Sequence, residues 1–141
     1  MPLVTQISVR ISKEDGSVSG VTRALGEAGV DIRGFSVSDS AEHGVLRVIV
    51  DRPEAACEAL AHAGMTPCAT PVIVVELPDQ PGGLAGVLKA VAEAGVDIVY
   101  VYSLITQYVV LNVANPADAE ARLAGSTVRL VTAEEISAPA A

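Results

Sequence analysis

The chain has 141 residues, half of them hydrophobic but only 3% aromatic, and carries 17 acidic against 9 basic residues for a formal net charge of −8. That balance is wrong for nucleic acid and for an anionic membrane surface, both of which need a basic face. No apolar run approaches the roughly 20 residues of a membrane span, and the start Met1-Pro2-Leu3-Val4-Thr5-Gln6 lacks a basic segment followed by an apolar one, so a cytoplasmic protein is expected. In chain order, Ile7, Val9 and Ile11 alternate with Ser8 and Arg10, which predicts a half-buried strand over residues 3–11. Lys13-Glu14-Asp15-Gly16 reads as a turn. Val18, Val21, Leu25 and Ala28 recur at helical spacing, and Gly29 stands where such a helix would stop. Residues 30–38 and 45–50 read as a hairpin turning at His43-Gly44. Pro53 opens a second helix, with Ala56, Leu60 and Ala63 on one face, and Gly64 closes it. A short fourth strand is expected around residues 65–69.

The same order then returns. Residues 72–77 form a strand that is apolar on both sides, as a central strand would be. Leu84, Val87, Leu88 and Val91 line a helix ending at Gly95. Residues 96–105 and 108–113 predict a hairpin, residues 116–124 a helix, and residues 128–131 a last strand. Residues 134–141 read as a frayed tail. The recurrence is literal in one place: Glu27-Ala28-Gly29-Val30-Asp31-Ile32 is repeated as Glu93-Ala94-Gly95-Val96-Asp97-Ile98, an offset of 66 residues that also places Ile7 on Ile73, Gly16 on Gly82 and Val21 on Val87. An internal repeat fixes architecture before other arguments begin. It divides the chain into units over 1–69 and 70–141, each β-α-β-β-α-β. The expected fold is α+β: two ferredoxin-like units, antiparallel sheets side by side with helices on one face. Units of this size sit near the lower limit for an independent core. Val99, Val101, Ser103 and Ile105 fall on one face of their strand and Tyr100, Tyr102 and Leu104 on the other, and neither face is plainly polar. A covering layer from a second copy, and hence a homodimer, is expected.

Cys57 and Cys68 are expected as buried free thiols, and His43 and His62 are isolated, so the sequence offers no metal-ligand spacing and predicts no metal or cofactor. No Ser/His/Asp set, no Cys with a His partner and no Walker-type loop is present, so an enzyme is not expected.

One loop carries chemistry. In Asp79-Gln80-Pro81-Gly82-Gly83-Leu84, Pro81 fixes a backbone angle and the two glycines clear side chains from the main chain. The loop opens a helix, whose free N–H groups attract a carboxylate, while Asp79 offers an oxygen to an ammonium group. An α-amino acid bears both charges. The same Pro-Gly-Gly is also a plain tight helix entrance, and Asp97 is equally readable as a cap on exposed N–H groups.

Asp79-Gln80-Pro81-Gly82-Gly83-Leu84 followed by Gly95-Val96-Asp97-Ile98, within a doubled β-α-β-β-α-β pattern, resembles the ACT domain family of small-molecule-binding regulatory modules. The resemblance covers nearly the whole chain and implies a free-standing tandem ACT protein that senses an amino acid at an interface between units. It implies a ligand site formed by Asp79, Gln80, Pro81, Gly82, Gly83 and Leu84 facing Asp31 and Ile32 of the first copy, with Asp97 and Ile98 belonging to the converse site at the first copy's loop. A weaker second site would use Lys13, Glu14, Asp15 and Gly16. There the Pro is missing and Lys13 replaces Asp79, which reverses the local charge and fits decay to a structural role. Arg33 and Tyr100, just downstream of the two Asp residues, are candidates to line the pocket or to pack on the sheet. The alternative function is a non-catalytic subunit that docks onto an amino-acid biosynthetic enzyme, its own ligand site vestigial.

Overall fold

The computed structural model describes residues 3–12, 17–39, 44–105 and 107–137, the side chain of Asp39 excepted. Among these the chain forms β1 (Leu3–Ile11), α1 (Val18–Glu27), β2 (Ile32–Asp39), β3 (Gly44–Val50), α2 (Pro53–His62), β4 (Pro67–Glu76), α3 (Gly83–Glu93), β5 (Ile98–Ser103), β6 (Tyr108–Val113), α4 (Pro116–Ala124) and α5 (Ala133–Ser137). They fall into two compact units, residues 5–70 and residues 71–137 with Leu3 and Val4.

In the first unit β3 pairs antiparallel with β1 on one side and with β2 on the other. Ile7 and Val9 of β1, and Leu46, Val48 and Val50 of β3, point to the same face because side chains alternate along a strand. Against that face pack Val21 and Leu25 of α1 and Ala56 and Leu60 of α2. The apolar stripe expected on α1 is narrower than its spacing implied. Val21 and Leu25 are fully buried, but Val18 is 38% exposed and Ala28 is exposed at the helix end.

The second unit repeats the plan with β4, β6 and β5. Its core joins Ile73, Val75, Val109, Leu111 and Val113 to Val87 and Val91 of α3 and Ala119 and Leu123 of α4. The expected final strand at residues 128–131 lies antiparallel beside β4, but only as a single bridge, Val75 to Leu130. Two backbone bonds hold it: Glu76 N–H to Arg129 O at 3.0 Å, and Val131 N–H to Val74 O at 2.8 Å. Just before it, the Ser126 hydroxyl accepts from the Val128 N–H at 3.1 Å. The strands expected at 65–69 and 72–77 are one strand, β4, with Pro71 inside it. Proline removes a ladder donor without ending an extended segment, so it does not divide the two stretches.

The sheet face turned away from the helices carries further buried residues. Val72, Val74 and Val110 alternate with the core residues and so point to that face, yet all three are fully buried in the single chain. Tyr100 and Tyr102 stack on each other at 6.3 Å and are half-buried. Among the strands, the exposed large apolar side chains lie on β2 and β5. These are Phe35 at 60%, Val37, Val99 at 62%, and Val101. The cysteines also differ from expectation: both are free, but Cys57 is half-buried and Cys68 is exposed at the start of β4.

The helix stops behave as their glycines predict. Gly29 and Gly95 adopt φ of 73° and 79°, a left-handed turn that glycine enters without steric cost. The carbonyls left open there are taken by guanidinium groups. Arg52 donates to Ala28 O and Gly29 O, and Arg122 donates to Ala94 O at 3.3 Å. Ala28 and Ala94 are repeat partners, but Arg52 precedes α2 whereas Arg122 lies within α4. The two units reach the same cap from different positions, each placing a cation at the negative helix end.

The expected frayed tail is ordered through Ser137. Thr132-Ala133-Glu134-Glu135 forms a reciprocal cap on α5: Glu135 N–H donates to the Thr132 hydroxyl at 3.2 Å, and Thr132 N–H donates to Glu135 Oε1 at 3.3 Å. Ile136 is buried. Arg129 links Glu135, at 2.8 Å, to Glu76 of β4. The Arg129 hydrogen bond, then the Thr132 backbone bond, hold the Glu135 carboxyl below the ordinary carboxylate range. A carboxyl depressed in the folded state stabilises above its unfolded pKa and loses that contribution as pH falls through the folded one. Glu135→Gln is therefore expected to lower stability at neutral pH by about 1 kcal/mol or less, the range for a partly exposed pair. Parallel thermal melts of the two proteins should converge only once the pH has fallen below the ordinary carboxylate range, where the folded Glu135 is protonated too. A difference that persists undiminished at strongly acidic pH would contradict the assignment.

Candidate ligand cleft of the second unit

The loop between β4 and α3 is built by its backbone. Leu77 N–H donates to Gln107 O at 2.7 Å, which ties the end of β4 to the β5–β6 turn. Gln80 N–H donates to Pro78 O, and Gly83 N–H donates to Gln80 O, both at 2.9 Å. These bonds fold the loop back on itself. Gly82 then enters the helix at φ 82°, and a Cβ on Gly83 would sit 2.2 Å from Pro78 O. The fold therefore demands glycine at 83 for close approach and favours it at 82 for backbone angle.

This geometry leaves donors open. Gly86 N–H reaches Gly82 O at 2.9 Å, but no described backbone carbonyl accepts from Leu84 or Ala85. No side chain caps α3 either. In the first unit, by contrast, the Ser17 hydroxyl accepts from Gly20 N–H at 3.0 Å and caps α1 itself. Offset by 66 residues, Ser17 falls on Gly83. One copy has filled its helix entrance with a hydroxyl, and the other has left it clear.

The clear entrance opens onto a cleft of about 1040 Å³. The loop residues Asp79, Gln80, Pro81, Gly82, Gly83 and Leu84 line it together. The sequence reading missed its other wall, which is Ile105, Gln107 and Tyr108 from the β5–β6 turn, with Ala85 on α3 and Glu76 at the end of β4. The missing signal was conformational: the Glu76–Tyr108 pair of the ladder and the Leu77–Gln107 backbone bond bring this turn beside the loop. Two carboxylates border the cleft. Glu76 is engaged by Arg129, whereas Asp79 is exposed and forms no described side-chain bond. A smaller depression of about 410 Å³ lies on the other side of the same helix entrance, bordered by Gly86, Thr127 and Arg129.

The remaining candidates do not line this cleft. Asp97 is exposed and Ile98 half-buried at the start of β5, where Asp97 O accepts from Ala114 N–H at 3.2 Å. Asp31 and Ile32 begin β2 in the first unit. Asp31 carries a local partner, Arg33, at 3.1 Å, and its own N–H donates to Asp51 Oδ1 at 2.9 Å. Arg33 is therefore occupied on its own strand, and Tyr100 stacks on Tyr102. Lys13, Glu14, Asp15 and Gly16, and His43, lie outside the described residues.

Two β-α-β-β-α-β units with an open glycine-lined entrance to one helix define a doubled ferredoxin-like module of the ACT kind. The chain belongs to the ACT domain pair family, whose model matches residues 2–137. Among solved structures it is similar to a protein of Bacteroides thetaiotaomicron, at 27% identity with 97% of each chain covered and a TM-score of 0.87. In fold it also resembles the regulatory subunit of aspartate kinase from Thermus thermophilus. That match has 22% identity, 86% of this chain and 90% of that one covered, and a TM-score of 0.61. The corresponding subunit from Thermus flavus matches at 23% identity, 85% and 88% coverage, and a TM-score of 0.54. No curated protein matches the sequence. No helix among the described residues is long and apolar enough to cross a membrane.

Proposed function

We propose that this chain is a non-enzymatic regulatory protein that binds a free α-amino acid in the cleft at the start of α3. One observation carries the reading: the uncapped N–H groups of Leu84 and Ala85 and the unpaired Asp79 border the same cleft. The ligand carboxylate takes the N–H groups at the positive helix end, and its ammonium takes Asp79. Family membership and the fold shared with regulatory subunits of aspartate kinase support a sensing role over a catalytic one. Ligand binding would shift the protein between states only by its difference in affinity for them. In this reading Asp31 and Ile32, and Asp97 and Ile98, are secondary candidates. Their variants test whether the site extends beyond the cleft.

Thermal shift with a panel of amino acids tests the proposal. A ligand at 100 times its Kd is expected to add about 2.7 kcal/mol of stability. Asp79→Ala should erase that response while changing the stability of the free protein by no more than about 0.5 kcal/mol, since the side chain is exposed and forms no described bond. An unaltered ligand response in this variant would remove Asp79 from the site.

A second reading, docking onto another protein or a second copy, is favoured by the exposed Phe35 and Val37 on β2 of the first unit and, separately, Val99 and Val101 on β5 of the second, because exposed apolar surface marks association sites. Silence towards every amino acid, with stable capture of a purified biosynthetic enzyme, would favour it.

A further inference from the structure

We infer that the cleft selects an amino acid with an aliphatic side chain. This rests on the proposed function and specifies its ligand. Three observations converge. First, Leu84 and Ile105 are 45% and 67% exposed, and both border the cleft, one from α3 and one from the β5–β6 turn. These two large aliphatic groups are exposed apolar surface at the border of the cleft that a ligand side chain would dry. Tyr108 adds its ring to the same wall.

Second, the charges on the rim decide against acidic ligands. Among the described residues, no Lys, Arg or His borders this cleft, while Asp79 and Glu76 do. An aspartate or glutamate side chain would enter with no lining cation to meet it and would lose hydration without compensation. Third, the carboxylates do not favour a basic ligand either. Glu76 is already bonded to Arg129, and Asp79 is assigned to the α-ammonium. A lysine or arginine side chain would leave its charge unpaired against Leu84 and Ile105, which costs free energy.

The loop and the apolar walls therefore divide the work. The helix entrance and Asp79 read the backbone common to all amino acids. Leu84, Ile105 and Tyr108 read the side chain. Discrimination by apolar contact is graded, about tenfold or more for each methylene in a fitted pocket and less in an open one.

Calorimetric titration of the full chain with glycine, alanine, valine, leucine, lysine and aspartate tests this. Affinity is expected to rise along the first four, with leucine at least about tenfold tighter than glycine, and lysine and aspartate weaker than leucine. Ile105→Ser and Leu84→Asn, both at exposed positions, should each narrow the leucine-to-glycine ratio. Affinities that are flat across the series, or tightest for lysine or aspartate, would overturn the inference while leaving amino-acid binding intact. A ratio unmoved by both variants would also overturn it. Binding of none of the six would overturn the proposed function itself, and this inference with it.

Discussion

Gly83→Ala is expected to destabilise the protein by about 3 kcal/mol, the upper end for forcing an atom into an occupied space. The new methyl would lie 2.2 Å from Pro78 O, a backbone atom held by its bond from Gln80 N–H at 2.9 Å. A flexible side chain could swing aside, but this carbonyl moves only if the loop opens. For a chain of this length the loss corresponds to roughly 10 °C in Tm. Two neighbours make the test internal. Gly82→Ala meets nothing within 4 Å but must hold φ at 82°, so it is expected to lose about 1 kcal/mol through backbone strain alone. Gly86→Ala also meets nothing within 4 Å and sits inside α3 with ordinary backbone angles, so it should gain up to about 1 kcal/mol. Three glycines within one short segment thus differ in sign and size. Urea unfolding of the three variants checks the order, and a Gly83→Ala protein as stable as the parent would refute the close approach.

The contrast between these glycines shows where the sequence is legible and where it is not. Strand and helix positions follow from side-chain period. β1, β6 and α4 lie over the residues their patterns predict, and Gly29 and Gly95 take the left-handed stop that their position at the helix end implies. The repeat made these assignments firmer, since each was read twice. Capping was not legible to the same depth. Arg52 and Arg122 serve the same helix end from unrelated positions, so no shared spacing announces them. Thr132-Ala133-Glu134-Glu135 does have the spacing of a reciprocal cap, but the alanine- and proline-rich residues after it carry the composition of a frayed tail and mask it. At the site, the loop from Asp79 to Leu84 was legible because glycine and proline fix backbone geometry locally. Its opposite wall was not. Ile105, Gln107 and Tyr108 reach the loop through a turn whose shape no periodicity encodes. The open state of the helix entrance is half legible: the missing proline of the first copy is visible in the sequence, but the bond from Gly20 N–H to the Ser17 hydroxyl depends on a rotamer that the sequence does not encode.

Leu60→Ala and Leu123→Ala are expected to cost between about 2 and 5 kcal/mol each, the range for truncating a buried leucine and leaving a cavity. The two residues stand at the same place in the repeat, counted from Pro53 and Pro116, and both are fully buried against the strands of their own unit. Leu60 packs with Ala56, Val21 and Leu25, and Leu123 with Ala119, Val87 and Val91. With few aromatics in the chain, each core is assembled from short aliphatic groups. Interiors at this density relax little when a side chain is removed, so the loss exceeds what transfer of the lost methyls alone would give. The ligand provides a second readout. The cleft and Leu123 belong to the same unit, so an amino acid at 100 times its Kd should restore about 2.7 kcal/mol to Leu123→Ala. Equilibrium unfolding with and without the bound amino acid measures both quantities. Losses below 1 kcal/mol at either position would show that the two leucines are not the keystones of their cores. A Leu123→Ala protein that gains nothing from ligand would place the binding site somewhere other than the glycine-lined entrance to α3.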